Sequence, residues 1–257
     1  MEWVEKESIT PASDNAELRE FSSIRGDRPV TGVLWVSKKS KPGAPLILLG
    51  HGASGNRHQT PIPILAEKFC ADHGFNCLSI DGPVHGRRQV GPGGRAAFWP
   101  EWQRPGNVED MIADWQHALD HAQALLEVGT GPVGYWGLSM GTVYGGPLVG
   151  AEKRIKAAVL GLMGISGPDH YKVTIKSYAV SINCPVLFIV QLEDELFTRH
   201  EQFELFDLIA ASDKRMHANP GLHPNVPAEE LRHSVEFLVR QLTGNPEPRD
   251  AAFRISE

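Results

Sequence analysis

Runs of apolar residues recur along the chain and alternate with stretches of helical spacing. Apolar and polar residues alternate over 17–37 with a break at 25–29, which predicts two antiparallel strands joined by a turn. Unbroken apolar runs are typical of parallel strands, which are covered on both faces, and they lie at 46–49, 76–80, 133–137, 157–162 and 185–191. Helical spacing is found at 62–73, 108–128, 139–149, 199–211 and 228–242.

This alternation of strands and helices predicts an α/β fold. Because parallel strands need crossover connections, we expect a mostly parallel central sheet with an antiparallel N-terminal edge and helices on both faces. A length of 257 residues suits one domain, which we predict at 1–243. The prolines at 246 and 248 indicate a loose tail over 244–257 that carries no chemistry.

Composition argues against several classes of partner and site. A net charge of −6 supplies no broad positive field, so neither nucleic acid nor a membrane surface is expected to bind. The N-terminus lacks the apolar segment of a signal peptide, and a cytoplasmic location is the expectation. Cys70, Cys77 and Cys184 lack metal-ligand spacing and are expected as buried free thiols, although spacing alone leaves a Cys70–Cys77 bridge open.

A Gly-x-Ser-x-Gly segment carries the clearest chemical signal. Gly137, Ser139 and Gly141 stand where the apolar run 133–137 passes into a helix-compatible stretch. A serine on such a tight turn projects above the sheet, and the helix start beside it favours developing negative charge. An inert serine in a tight turn is the alternative, but the strand and helix on either side favour a nucleophile at Ser139.

With this segment, the chain resembles the α/β-hydrolase superfamily over roughly 45–242. Members of that family carry an oxyanion-hole amide in the loop after a His-Gly motif, and His51-Gly52-Ala53 stands at that place here. The resemblance implies that the backbone N–H groups of Ala53 and Met140 hold the oxyanion. It also implies a structural role for His51 and a chain order of serine, acid and histidine.

That order directs the search for the base and the acid to the C-terminal part of the chain. His223 follows a Pro-Gly turn in the loop position that the family uses, whereas His217 lies in the expected final strand and His233 in the last helix. The acid is expected after the strand 185–191, and Asp194 fits the family pattern. Glu193 and then Glu195 are the alternatives, and an ordinary solvated acidic loop would also explain the cluster.

Four residues are candidates for the substrate side. Trp99 and Trp102 lie in a long loop predicted at 89–107, of the kind that often covers a site, although both side chains could equally anchor that loop. Met163 and Tyr171 are wall candidates for an acyl pocket. The family's cap insertion has only 161–184 to occupy, so we expect a minimal cap.

The sequence therefore predicts a carboxylesterase-like serine hydrolase that acts through an acyl-enzyme on small or medium acyl esters. A thioesterase, with Arg57, Arg87 and Arg88 as entrance cations, or a lactonase would use the same residues. A non-catalytic ligand-binding protein is a further alternative from another class. No cofactor or metal is implied, because His51, His58 and His85 lack ligand spacing. Oligomeric state stays open.

Overall fold

The computed structural model describes residues 14–244 and, in backbone only, a short strand at residues 2 and 3. The strands, in chain order, are β1 (Glu2–Trp3), β2 (Ala16–Arg25), β3 (Arg28–Ser37), β4 (Leu46–Gly50), β5 (Asn76–Ile80), β6 (Val133–Gly137), β7 (Ile155–Gly161), β8 (Val186–Gln191) and β9 (Lys214–Asn219). The helices are α1 (Ile62–His73), α2 (Gly94–Gln103), α3 (Asn107–Gln123), α4 (Met140–Ala151), α5 (Asp169–Ala179), α6 (Arg199–Leu208) and α7 (Ala228–Leu242), with a 3₁₀ turn at Gly86–Arg88.

The strands form one sheet in the order β1-β2-β3-β5-β4-β6-β7-β8-β9. The first three strands pair antiparallel, and β3 also meets β5 antiparallel. All pairs from β5 to β9 are parallel. The predicted α/β fold, with its parallel sheet and antiparallel N-terminal edge, is confirmed. The parallel strands end along one edge, which is where α/β proteins place their ligands.

Two hydrophobic clusters cover the two faces of the sheet. One contains buried side chains from α2 through α6, such as Trp115 and Leu148. The other contains buried side chains from α1 and α7, such as Phe69 and Leu238. Every residue of β4, β5, β6 and β8 is buried, as expected of strands with helices on both faces.

Two helices were not predicted. The expected loop over 89–107 was wrong at α2, whose glycines and internal Pro100 hide the helical period. That helix is held by packing, since Phe98 and Trp102, one turn apart, are buried in the core with their rings stacked 5.5 Å apart. Helix α5 occupies part of the short segment 161–184, and it buries Tyr171, Ile175 and Ala179 at helical spacing.

Other predictions concern the cysteines and the chain ends. Cys70 and Cys77 are buried free thiols, and Cys184 is a partly buried one. The predicted tail at 244–257 lies, apart from Gly244, outside the described residues. Within the described ranges, no helix has both the length and the apolar composition needed to cross a membrane.

Candidate active site

Ser139 lies between the end of β6 and the start of α4 in a strained conformation. Its φ of 58° and ψ of −122° are rare for a residue with a side chain. The sharp turn brings α4 against β4, and a Cβ atom at Gly141 would lie only 2.7 Å from the carbonyl oxygen of Gly50. The backbone N–H of Ser139 donates to the carbonyl of Gly161 at 3.1 Å, which ties the turn to β7. The fold therefore holds the serine hydroxyl at the edge where the parallel strands end.

His223 and Asp194 lie in neighbouring loops at the same edge. His223 is in the loop between β9 and α7, and Asp194 follows β8. The Nε2 atom of His223 is 2.9 Å from Oγ of Ser139, and its Nδ1 atom is 2.8 Å from Oδ2 of Asp194. The structure thus brings together the three predicted residues in one hydrogen-bonded row, in which the side chain of Asp194 is fully buried and that of His223 is 7% exposed.

The carboxylate of Asp194 is held in its ionised form. Burial alone would raise the pKa of Asp194, but hydrogen bonds from His223 and from the backbone N–H groups of Leu196 and Phe197 outweigh burial and lower this pKa. Those two N–H groups donate to Oδ1 at 2.8 and 3.0 Å. The second oxygen therefore stays aimed at the imidazole.

The two alternative acids contact the backbone of the histidine loop rather than the imidazole. Glu193 accepts a short hydrogen bond from the N–H of Gly221 and pairs with Arg199. Glu195 accepts from the backbone N–H of His223 at 2.9 Å, and this bond lowers the pKa of Glu195. Both carboxylates hold the loop in place, whereas Asp194 contacts the ring.

Ala53 and Met140 flank the serine. Both line the same cavity as Ser139. Met140 is the first residue of α4, where backbone N–H groups have no partner inside the helix. Within the part of the chain that the structure describes, neither backbone N–H finds an acceptor.

His85 positions the loop that carries Ala53, a role that its place in the sequence did not reveal. Its Nε2 atom lies 2.9 Å from the carbonyl oxygen of Ala53 and its Nδ1 atom 2.7 Å from that of Pro83. His51 is neutral, because burial lowers its pKa to about 4. His58 contacts Glu20 through a short hydrogen bond. These three histidines therefore have separate structural partners.

Two cavities meet at Ser139. The smaller, about 150 Å³, is mostly apolar and is lined by Ala53, Arg95, Phe98, Trp99, Trp102, Ser139, Met140, Val143, Ser166, Gly167, Leu196 and Phe197. The larger, about 430 Å³, shares Ala53, Arg95 and Ser139 with the first. It is otherwise lined by 52, 54, 59–61, 136, 138, 162, 223, 224, 226, 228 and 231.

The structure separates the four substrate-side candidates into two pairs. Trp99 and Trp102 line the smaller cavity. Met163 and Tyr171 are fully buried and do not reach its surface, which corrects their prediction as wall residues. Tyr171 lies behind the wall, with its ring 5.1 Å from that of Trp102 and its hydroxyl donating to the carbonyl of Val143. The direction of the Tyr171 side chain on α5 places it there, and the sequence did not reveal that direction.

The suggested entrance arginines occupy other positions. Arg57 is buried and pairs with Glu20 and Asp81, at 2.9 and 2.7 Å. Arg88 is buried and pairs with Asp114 at 2.8 Å. Neither lines a cavity at Ser139, so both predictions as entrance cations were wrong, and Arg87 is absent from both linings as well.

Arg95 lines both cavities instead. Its side chain is exposed, and no carboxylate in the described ranges pairs with it. The helix that carries it was not predicted, which is why the sequence did not point to this arginine.

The chain was compared with known proteins at three levels. It matches no protein-family model and no curated protein. Among solved structures, a PEG-bound cold-adapted esterase from an Arctic intertidal metagenomic library aligns with a TM-score of 0.82 and 35% identity, covering 94% of this chain and 100% of that one. A zinc-bound structure of that esterase aligns over the same shares with a TM-score of 0.78 and 35% identity.

An acetyl xylan esterase from Paenibacillus sp. R4 shares the fold at a TM-score of 0.69 and 19% identity, covering 93% of this chain and 87% of that one. The 35% identity to the cold-adapted esterase extends over that protein's whole chain, and these neighbours are α/β-hydrolase proteins. The chain therefore belongs to the α/β-hydrolase superfamily, among its esterases.

Proposed function

We propose that this esterase is a serine hydrolase of carboxylic esters, with Ser139 as nucleophile, His223 as general base and Asp194 as the acid that orients the histidine. The observation that carries the proposal is the continuous row from Ser139 Oγ to His223 at 2.9 Å and on to Asp194 at 2.8 Å. The row opens where two cavities meet, so a bound ester can extend to both sides of the serine.

In the first half of the reaction, Oγ of Ser139 attacks the ester carbonyl carbon while Nε2 of His223 takes the hydroxyl proton. Asp194 stabilises the imidazolium that forms, because its ionised carboxylate faces Nδ1. The N–H groups of Ala53 and Met140 donate to the oxyanion. When the tetrahedral intermediate collapses, the C–O bond to the alcohol breaks and His223 returns the proton to the leaving oxygen.

In the second half, water attacks the acyl-enzyme and His223 takes one of its protons. Collapse of the second intermediate breaks the bond to Ser139 Oγ, which recovers its proton from His223. The acid leaves and the enzyme is regenerated. The positive φ of Ser139 serves both halves, because it keeps Oγ clear of the sheet and open to both cavities.

The sizes of the cavities support small or medium acyl groups. An apolar cavity of ~150 Å³ holds a group of roughly benzene size, and the smaller cavity has that volume and an aromatic lining. We assign it to the acyl group. The larger cavity at His223 then takes the alcohol, which is also the side to which the histidine must return a proton.

Thioester hydrolysis is the second candidate, and Arg95 favours it. An exposed guanidinium on the rim of both cavities can bind the anionic group of a carrier arm. An ester with an anionic alcohol would use the same contact. Wild type and Arg95→Ala can be compared on matched ester and thioester substrates. If Arg95 belongs to a carrier site rather than being a general rim charge, only the carrier substrate should lose binding in the variant.

The nucleophile is tested by fluorophosphonate labelling and by p-nitrophenyl acetate, butyrate and octanoate hydrolysis. Wild type should be labelled and active, and Ser139→Ala should lose both. Ser166→Ala is the matched control, since Ser166 lines the same cavity, and it should retain labelling. Labelling without hydrolysis would mean a specialised substrate. Absence of both in wild type would favour a non-catalytic binding protein.

The acyl assignment is tested by Trp99→Ala. Trp99 is half exposed and lines the smaller cavity, so its removal should enlarge that cavity without unfolding the protein. We expect octanoate hydrolysis to improve relative to acetate, and alcohol preference to stay unchanged. A change in alcohol preference alone would reverse the assignment of the two cavities.

A further inference from the structure

Two histidines and a glutamate form a cluster between β9 and α7. His217 lies on β9, and Glu230 and His233 lie at the N-terminal part of α7. One ligand atom from each lies within 4.8 Å of the other two. A separate cavity of about 180 Å³ opens beside both histidines, and none of its lining residues lines the cavities at Ser139.

Glu230 is a buried carboxylate whose surroundings differ from those of Glu20 and Asp114. Its side chain is 4% exposed. The buried carboxylates of Glu20 and Asp114 have guanidinium partners, Arg57 and Arg88, whereas that of Asp194 pairs with the imidazole of His223. Over residues 14–244, Glu230 forms ion pairs with imidazoles alone. A compensating cation stabilises a buried carboxylate, and a bound metal ion would supply one here.

The Nδ1 atoms of both histidines lie close to the carboxylate oxygens of Glu230. His217 Nδ1 is 2.8 Å from Oε2 of Glu230. His233 Nδ1 is 3.7 Å from Oε1 of Glu230. The Nδ1 atom of His233 is buried and has no hydrogen-bond partner within the described residues. Ligand atoms in a tetrahedral zinc site lie roughly 3.3 Å apart, given bond lengths of about 2.0–2.2 Å. The two observed separations lie on either side of that value, and side-chain rotation can adjust both.

We propose that His217, Glu230 and His233 bind a divalent transition-metal ion of the zinc class. Two imidazoles and a carboxylate are a donor set that suits zinc. The side chains of His217 and His233 are 36% and 33% exposed, so water can take the fourth position. Binding through Nδ1 puts the proton of His233 on Nε2, and Arg232, which now donates to that atom, turns away into solvent.

The ion would act as a clamp on the segment that carries His223. That segment leaves β9 after His217 and enters α7 before Glu230, so the ligands hold both of its ends. An ion that binds the folded chain and not the unfolded one stabilises it in proportion to its occupancy. We expect the melting temperature to rise by about 5–10 °C when the ion is ~100-fold above its dissociation constant.

The test uses full-length protein stripped with EDTA and titrated with Zn²⁺ in a calorimeter and in thermal unfolding, with Co²⁺ absorption as a report of coordination. Wild type should bind one ion, gain thermal stability and show the visible bands of a nitrogen- and oxygen-ligated Co²⁺. His217→Ala and His233→Ala should each weaken binding by at least tenfold, and His217→Asn or His233→Asn replaces the alanine variant at the same position if that variant fails to fold.

Two controls decide where an ion sits. His117 and His121 form another histidine pair, with ring centres 4.5 Å apart on α3, and the double variant to alanine should keep the binding. His223→Ala should keep it too. Absence of binding in wild type overturns the proposal. So does loss of binding in either control, or its persistence in both His217→Ala and His233→Ala.

Discussion

Two buried carboxylates, those of Asp114 and Asp194, have partners of different kinds. Asp114 on α3 contacts three guanidinium groups, those of Arg25, Arg28 and Arg88. Asp194 contacts one imidazole, that of His223, and two backbone N–H groups. In both, burial opposes ionisation, yet charged or donating neighbours lower the pKa of the carboxyl.

The difference lies in whether the partner can change its charge. Guanidinium is always protonated, so the charge on Asp114 is neutralised permanently and the cluster joins α3 to β2 and β3. An imidazole gains its charge only when it takes a proton. In the proposed mechanism the carboxylate of Asp194 therefore stabilises a charge that appears on His223 during the reaction. Neither burial nor the direction of the pKa shift separates Asp194 from Asp114.

Asp194→Asn should have the largest effect. The amide cannot hold the imidazole in the productive tautomer or stabilise the imidazolium, so kcat should fall about 10⁴-fold. The backbone N–H bonds to Oδ1 can persist, and the variant should stay folded by circular dichroism. Steady-state kinetics on p-nitrophenyl butyrate provides the measurement. A loss below about tenfold would remove Asp194 from the proposed triad.

Asp114→Asn should instead affect stability. It leaves three arginine side chains facing a neutral amide, and loss of one partner from a buried ion cluster costs about 3–5 kcal/mol. Urea unfolding gives the free energy, and kcat of the folded protein should change less than twofold. Asp120→Asn on the same helix is the control, because its bond to Arg154 is solvent exposed and should contribute less than about 1 kcal/mol. Equal losses in both variants would contradict the comparison.

Acid should destabilise the protein through His51. Burial lowers the pKa of His51 to about 4, whereas an unfolded histidine has a pKa of about 6.5. The unfolded chain therefore binds this proton first as pH falls, and the unfolding free energy should drop by about 3 kcal/mol between pH 6.5 and 4. His51→Gln can still accept from the N–H of Gly82. Its unfolding free energy should lack this part of the dependence on pH. An identical dependence of the unfolding free energy on pH in wild type and His51→Gln would exclude His51 as its source.

Glu193→Gln should have the smallest effect. Its carboxylate contacts Arg199 and the backbone of Gly221 rather than the imidazole. We expect kcat to change less than about threefold, since an exposed pair contributes little. Kinetics measured beside Asp194→Asn gives the contrast directly, and a loss comparable to that of Asp194→Asn would make Glu193 the acid.

Some elements were predictable because their signal is local. The apolar run of β6 and the glycines at 137 and 141 predicted the turn that carries Ser139, since a tight strand-to-helix turn admits little else. Helix α2 was missed because its glycines and Pro100 obscure the period, and it is held by long-range packing of Phe98 and Trp102. Arg57 was misread because its partner Asp81 lies 24 residues away.

The sequence by itself determined most of the order of strands and helices, because periodicity and turn chemistry act over a few residues, but it did not reveal α2 and α5. Its resemblance to the family pointed to Ser139 and His223 as candidates and to an acid among Glu193, Asp194 and Glu195. Only the tertiary structure decided which carboxylate faces an imidazole and which faces guanidinium. It also decided that Tyr171 lies behind the cavity wall and that Arg95 lies on its rim. Those outcomes depend on which side chains the sheet and helices bring together across tens of residues, a distance over which the local pattern carries no information.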